Sequence, residues 1–347
     1  TVDCRPRRPR PPSRRRPAGP TLAAAAALLL AGCQGPQSAL DPAGSSASAI
    51  LEIGWVLFSG AALIFVGVMA IAAYAVLARP ERFRGGLGWI IGGGVVFPVV
   101  VLFVLQVYEF AVTRRIAAAG VPPDLTVEVT GAMWWWDVRY PDLGGGIRTA
   151  NEIVLRTANE IVLPAGRRVE FVLTTRDVIH SFWMPTLAGK LDMIPGHVNR
   201  FSVIPETPGV YRGQCAEFCG AQHALMAFDV VVLEPDAFDA WVRDRLEPAA
   251  APRGALEARG AAAFLEAGCG ACHTVRGTPA AGTLGPDLTH VGSRLTLGAG
   301  SFPNTVGALA GWIASAQHLK PENRMPSFDV FDGVTLRAIA AYLAGLR

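Results

Sequence analysis

The stretch CAEFCGAQHALM, residues 215–226, places two cysteines, a histidine and a methionine within twelve positions. Taken alone it admits a disulfide loop, a zinc site or a copper site. Cys219, His223 and Met226 have the spacing of a copper loop, in which a thiolate, an imidazole and a weak thioether suit copper. Cys215 adds a second thiolate. Two thiolates on one loop can each bridge a pair of copper ions, provided each ion also receives an imidazole. His223 supplies one, and His180 in VIHSFWMP, just after the run RRVEFVLTT, is the candidate for the other. Zinc also takes two Cys and two His but has no use for Met226. A disulfide between Cys215 and Cys219 would need a tight loop and would leave both histidines unused.

The surroundings of this loop set its fold. From about 124 to 233, short runs rich in Val, Phe and Thr (LTVEVTG, RRVEFVLTT, NRFSVI, FDVVVL) alternate with Pro and Gly turns. That pattern predicts an antiparallel sandwich or barrel. Inside it the octapeptide RTANEIVL occurs twice in tandem, Arg148 to Leu155 and Arg156 to Leu163. Eight is even, so one added copy would lengthen a strand without exchanging its faces. We read it as a duplication without function.

Toward the N-terminus, seven arginines in residues 1–16 against Asp3 give a local +6, and removing that from the chain's +3 leaves −3 for the remainder. A nucleic-acid binder would keep its basic residues on the folded body, so that class is excluded. The arginine run enters TLAAAAALLLAGC, too short and alanine-rich for a span, which predicts an export signal over 1–33. Its end, Leu30-Ala31-Gly32-Cys33, predicts lipidation at Cys33. A small, polar segment from Gln34 to Ser48 is expected to be a flexible tether. Trp55 to Ala78 and Leu87 to Tyr108 are uncharged and long enough to cross a bilayer, predicting a transmembrane hairpin over 48–112. Gly92 to Gly94 and Pro98 predict a kinked, closely packed second helix.

Toward the C-terminus, EPAAAPRG (Glu247 to Gly254) reads as a linker. Beyond it, Ala255 to Ala267 and Gly333 to Leu346 read as amphipathic helices flanking a loop-rich segment. Within that segment Cys269-Gly-Ala-Cys272-His273 is C-x-x-C-H. Its thiols can add to haem vinyl groups while the adjacent imidazole binds iron. A thioredoxin-like redox pair would need a βαβ surround that is missing here. His290 and His318 are read as solvated loop residues and His197 as structural.

HSFWMP, LDMIPG, CAEFCGAQHALM and the tryptophan cluster MWWWDVRY, following two spans, resemble subunit II of haem-copper cytochrome c oxidases from about Ser48 to Arg245. Residues from about Ala255 to Arg347 resemble a class I cytochrome c, with LGPDL (Leu284 to Leu288) and Met325 in NRMPSF after the C-x-x-C-H. The combination is similar to caa-type oxidases. The resemblance implies a multi-domain chain: two transmembrane helices, an all-β cupredoxin-like Greek-key barrel over 120–247 and an all-α cytochrome c domain over 255–347. It implies a binuclear CuA centre with Cys215 and Cys219 bridging, His180 and His223 terminal, and Met226 and the Glu217 carbonyl as weak axial ligands. The Glu217 carboxylate would face a magnesium or manganese ion at the boundary with subunit I. Covalent haem c would be held by Cys269 and Cys272, with His273 proximal, Met325 distal and the Pro286 carbonyl accepting from His273. Trp134 stands where the family takes in electrons, with Met133 where glutamine is usual.

The implied partners are subunits I and III, an external donor (cytochrome c or quinol-cytochrome c reductase) and the membrane. The implied location is a bacterial cell membrane, multi-pass, with both redox domains on the outer side. The implied activity is oxygen reduction coupled to proton translocation by the complex. One position departs from the family: Gly86 stands three residues before Trp89, where many relatives carry a glutamate feeding a proton channel. The competing reading is a free-standing electron-transfer or copper-delivery lipoprotein. With Cys4 in the leader and Cys33 at the lipid site, no cysteine is left for a structural disulfide.

Overall fold

A computed structural model describes residues 34–77, 86–117, 121–143 and 155–347. The export signal with Cys4 and Cys33, the arginine-bearing turn between the spans and the first octapeptide up to residue 154 lie outside the described residues.

Helix α1 (Ser45–Leu77) has 33 residues. At 1.5 Å per residue this makes a rod of about 50 Å, longer than the roughly 30 Å hydrocarbon core of a bilayer. Its first turn is therefore free to pack elsewhere, and Ser46 and Ala47 are buried. The second apolar segment is α2 (Gly86–Ile91), a π-helical turn at Gly92–Val96, and α3 (Phe97–Ala117). Three glycines in succession tolerate the wider turn, and Pro98 just beyond cannot donate the backbone bond a regular helix would need. The expected kink thus takes the form of one inserted residue. Both segments are long and apolar enough to cross a membrane and expose apolar side chains such as Phe65 and Phe103. The Tyr108 hydroxyl donates to Glu52 Oε1 at 2.9 Å, tying one span to the other.

The expected flexible tether is a correction. Ala43 N–H donates to Thr186 O, Ser45 N–H to Ile204 O and Arg212 N–H to Pro36 O. Gly44 lies against the Leu187 backbone, closer than any side chain would permit. The small residues that read as flexible instead let the segment lie flat on the β domain.

That domain is two packed five-stranded sheets. The first runs β3 (Leu155–Ala158), β2 (Trp135–Tyr140), β1 (Leu125–Ala132), β5 (Val169–Thr175), β8 (Asn199–Val203). The second runs β4 (Glu160–Pro164), β10 (Ala227–Leu233), β9 (Gly209–Cys215), β6 (His180–Trp183), β7 (Lys190–Met193). Alternation along β1 buries Leu125, Val127 and Val129, as period two requires. The antiparallel expectation is only partly met, because β1 pairs with β5 and β4 with β10 in parallel. Both exceptions arise where the chain crosses between sheets instead of turning back in a hairpin. Between the sheets, Phe182 stacks on Phe228 at 4.7 Å, and Trp136 meets both edge-on at 5.6 and 5.2 Å.

The second octapeptide does not extend a strand. It divides at Asn159, a left-handed residue with φ 59°, giving the end of one sheet as β3 and the edge of the other as β4. Asn159 Oδ1 accepts Trp136 N–H at 2.8 Å, and its carbonyl accepts Asp229 N–H at 3.0 Å, so one residue holds both sheets at the corner. Asparagine tolerates this conformation because its side chain can bond locally.

Helix α4 (Pro235–Leu246) closes the β domain, with Phe238 buried and Trp241 against Tyr140 at 5.5 Å. The third domain is helical: α5 (Gly254–Glu266), α6 (Val306–Leu319, kinked at Ser315) and α7 (Gly333–Gly345), with a short ribbon of β11 (Thr296–Leu297) and β12 (Phe302–Pro303). Helices α5 and α7 cross where Gly260 meets Ala338, and Phe264 meets Tyr342 edge-on at 5.8 Å. Thr305 and Asp332 cap α6 and α7 by accepting backbone N–H groups of the first turn.

Candidate copper and haem sites

Strand β9 ends on Cys215, and strand β6, its neighbour, begins on His180. Register therefore brings a residue 35 positions earlier beside the loop, with His180 Nδ1 at 3.8 Å from Cys215 Sγ. His180 is the first residue of its strand. After Cys215 the chain turns through Gly220, a positive-φ residue, and a single helical turn at His223–Leu225 before entering β10. This folds the loop onto itself. Cys219 Sγ lies 3.8 Å from Cys215 Sγ, 3.6 Å from His223 Nδ1 and 3.8 Å from Met226 Sδ. His180, Cys215 and Cys219 form a buried cluster whose donor atoms all lie within 4.8 Å. Glu217 has an exposed side chain, but its carbonyl faces inward, 3.2 Å from Cys215 Sγ.

The cysteines are free thiols, well beyond bonding distance. A soft metal with bonds of about 2.3 Å to sulfur needs its two sulfurs closer than roughly 4.6 Å, and the observed separation fits. The protonation chemistry agrees. A hydrogen bond from Cys219 holds the Cys215 thiol well below its ordinary pKa, and the resulting thiolate pushes Cys219 well above it. The pair gives up one proton readily and resists losing the second.

Asp177 completes the support of His180. Its Oδ1 lies 2.9 Å from His180 Nε2, and its Oδ2 accepts Met133 N–H at 2.8 Å. Burial works against the carboxylate, but the Met133, His180 and Val178 hydrogen bonds outweigh it and keep its pKa below the usual value. This is the carboxylate–imidazole pairing that orients a metal-binding histidine and frees its other nitrogen. Sequence reading missed Asp177, although a carboxylate three residues before a candidate ligand was a usable signal.

Of the three tryptophans, Trp136 belongs to the core and Trp135 lies beside Arg176, 5.5 Å from its guanidinium. Trp134 is 6% exposed, and its indole N–H donates to the carbonyl of Cys219 at 2.9 Å.

In the helical domain Cys269 begins a helical turn, and His273 N–H bonds back to Cys269 O at 3.0 Å, so the two cysteines and the histidine share one tight turn. His273 Nδ1 pairs with the carbonyl of Pro286 at 2.8 Å, leaving Nε2 free. Burial holds the His273 pKa below its ordinary value, which keeps the ring in the neutral form that ligates iron. Met325 packs against the same core as Cys269. Its backbone is fixed by Asn323 Oδ1 accepting its N–H at 2.7 Å and by Gln317 Nε2 donating to its carbonyl at 2.7 Å. His290 is half-buried, not solvated, and burial beside Arg245 and Arg276 presses its pKa down to about 4. His318 is exposed.

Replacing Met325 by alanine is expected to leave the haem covalently attached while removing the red-region sulfur-to-iron band of the oxidised form. The midpoint potential should fall by on the order of 0.1 V or more, because axial ligands dominate haem potential. An unaltered band in the purified protein would place the distal ligand elsewhere.

The thiolate–imidazole–thioether cluster lies on a β sandwich that is joined to a C-x-x-C-H helical domain and preceded by two apolar helices. Residues 125–233 match the family described as cytochrome C oxidase subunit II, periplasmic domain, and residues 257–347 match cytochrome c. The chain is 34% identical over 337 residues to cytochrome c oxidase subunit 2 of Alkalihalophilus pseudofirmus, covering 92% of this chain and 94% of that protein. It is 29% identical over 356 residues to cytochrome c oxidase subunit 2 of Bacillus subtilis, covering 94% and 96%. The crystal structure of the periplasmic domain of subunit II of cytochrome oxidase from Bradyrhizobium japonicum shows 31% identity over 36% of this chain and 95% of that one, with a TM-score of 0.32. The chain belongs to the cytochrome c oxidase subunit 2 family and carries a cytochrome c domain. It is thus one subunit of a cytochrome c oxidase.

Proposed function

We propose that this chain takes electrons in through its own haem c and passes them by way of a binuclear CuA centre to subunit I, where oxygen is reduced to water with proton translocation. When bound, the two cofactors supply reversible one-electron chemistry. The chain supplies their placement. Cys215, Cys219, His180 and His223 would hold the copper, with Met226 and the Glu217 carbonyl as weaker donors. Cys269 and Cys272 would anchor the haem and His273 and Met325 would ligate its iron, with the Pro286 carbonyl orienting His273. The Glu217 side chain, pointing outward, is free to meet a magnesium or manganese ion at the boundary with subunit I. The buried, hydrogen-bonded loop fixes these residues in advance.

The observation that carries this reading is Trp134. Its indole is bonded to the carbonyl of Cys219, and its own carbonyl is reached by the Lys320 amine of the cytochrome domain at 3.4 Å. Trp134 thus touches the copper loop through its ring and the cytochrome domain through its backbone carbonyl. Trp134→Ala is expected to slow haem-to-copper transfer at least about tenfold with copper content unchanged, since misplacement of a coupled group costs that or more. Stopped-flow or flash reduction of the purified complex reads this rate, and unchanged kinetics would move the relay to another residue.

The remaining assignments follow the same family. Both redox domains lie outside a bacterial cell membrane that the two apolar helices cross, Cys33 carries a lipid, and subunit III and a cytochrome c or quinol-cytochrome c reductase donor complete the partners.

A further inference from the structure

Lysine is almost never fully buried without a partner, because a desolvated ammonium is costly. Lys320 is 2% exposed. It follows the last residue of α6, in the cytochrome domain, and its amine does not stay there. Nζ lies 2.9 Å from Gly298 O of its own domain, 2.8 Å from Leu225 O in the copper loop and 3.4 Å from Trp134 O. Three N–H donors thus meet three carbonyls, two of them across the domain boundary. Among the described residues no carboxylate forms an ion pair with it, and burial lowers its pKa to about 8.

Gly298 opens a second grip on the same loop. Residues Gly298, Ala299 and Gly300, at the tip of the β11–β12 ribbon, all have positive φ (61°, 61° and 75°). The carbonyls of the last two face the copper domain. Ala299 O accepts Ala227 N–H at 3.0 Å, and Gly300 O accepts from Arg212 at 3.2 Å. Leu225 and Ala227 flank Met226, so the cytochrome domain holds the copper loop on both sides of that residue. Further along, Glu160 Oε2 accepts Leu295 N–H at 2.8 Å, and Arg245 donates to Ser293 at 2.9 Å.

We propose that Lys320 is a positioning residue that pins the haem-bearing domain onto the copper loop, so that transfer between the two runs across one fixed contact and not through collisions of a tethered domain. The proposal rests on the electron route given above. Domains joined by a proline- and alanine-rich linker would otherwise be expected to move relative to one another.

The test uses the full chain in its purified oxidase complex, as wild type, Lys320→Met and Lys320→Gln. Methionine keeps the length and loses every donor. Glutamine keeps two donors without the charge. In Lys320→Met, amide hydrogen exchange of Ala227 and of residues 296–303 should accelerate about tenfold or more, as local opening replaces a fixed contact. Haem-to-copper transfer should slow by a similar factor, with haem and copper contents unchanged. Lys320→Gln should restore most of the protection. Both variants should lower the copper midpoint potential, since each removes a positive charge beside the thiolates, an effect a purely packing role would not produce. Wild-type exchange and wild-type transfer in Lys320→Met would overturn the proposal, and so would an unshifted potential in both variants. If Lys320→Met loses its copper, the wild type decides: residues 296–303 must exchange no faster than strand β9, and faster exchange overturns the pin. If wild-type electrons do not run from haem to copper, the route fails, while the exchange data still judge the pin.

Discussion

Cys219→Ser will abolish the hyperfine pattern of an electron shared between two copper nuclei and leave the chain with one copper ion or none. Cys219 is the hub of the cluster, its sulfur lying within 3.8 Å of Cys215, His223 and Met226 donor atoms. A serine oxygen is harder, sits closer to its own backbone and is a poor bridge for a soft ion. Losing a mere supporting hydrogen bond at a metal site costs roughly 10–100-fold in affinity, and losing a bridge should cost more. Metal analysis and electron paramagnetic resonance on the purified complex read the result. Haem c content should be unaffected, because Cys269 packs against a separate core. Survival of the shared-electron signal would remove Cys219 from the bridge.

The second large effect concerns folding. A Cβ at Gly260 would stand 2.0 Å from the carbonyl oxygen of Ala338, 2.5 Å from its carbon and 2.8 Å from Tyr342 Cβ. The first two are backbone atoms within a helix, so no side-chain rotation can clear them. Even Gly260→Ala must push α5 away from α7 and part Phe264 from Tyr342. Overpacking usually costs about 1–3 kcal/mol. A clash with helix backbone belongs at or above the top of that range, against a domain stability of about 5–15 kcal/mol. The expected outcome is a markedly lowered thermal transition of the haem absorbance with the copper signal intact. An unshifted transition would mean that the two helices do not cross at Gly260.

Much of this architecture was legible because chemistry and periodicity coincide in it. Copper-loop spacing, period-two strands and C-x-x-C-H each depend on residues near one another in sequence, and a single distant partner, His180, was found through its motif. What escaped notice was what long-range register alone creates. Nothing near Lys320 announces an amine that reaches a loop nearly a hundred residues earlier. The parallel pairs β1–β5 and β4–β10 were invisible because alternation is the same in either direction. The segment before the first span read as flexible because small residues serve equally for freedom and for close approach. The repeated octapeptide misled for a related reason: a period of eight preserves strand faces, but one asparagine taking a left-handed turn is enough to divert the chain to another sheet.

The π-helical turn at Gly92–Val96 changes the phase of the second span. One extra residue in a helix rotates everything beyond it by about 100° relative to an uninterrupted α-helix. Trp89 and Tyr108 are therefore not related by the angle a helical wheel would assign them. With Tyr108 bonded to Glu52 of the first span, the later half of this segment is fixed in azimuth, and the triglycine sets independently which direction the earlier half presents to its neighbours. Removing one of those glycines would leave hydropathy and length almost unchanged and yet turn one half of the span against the other.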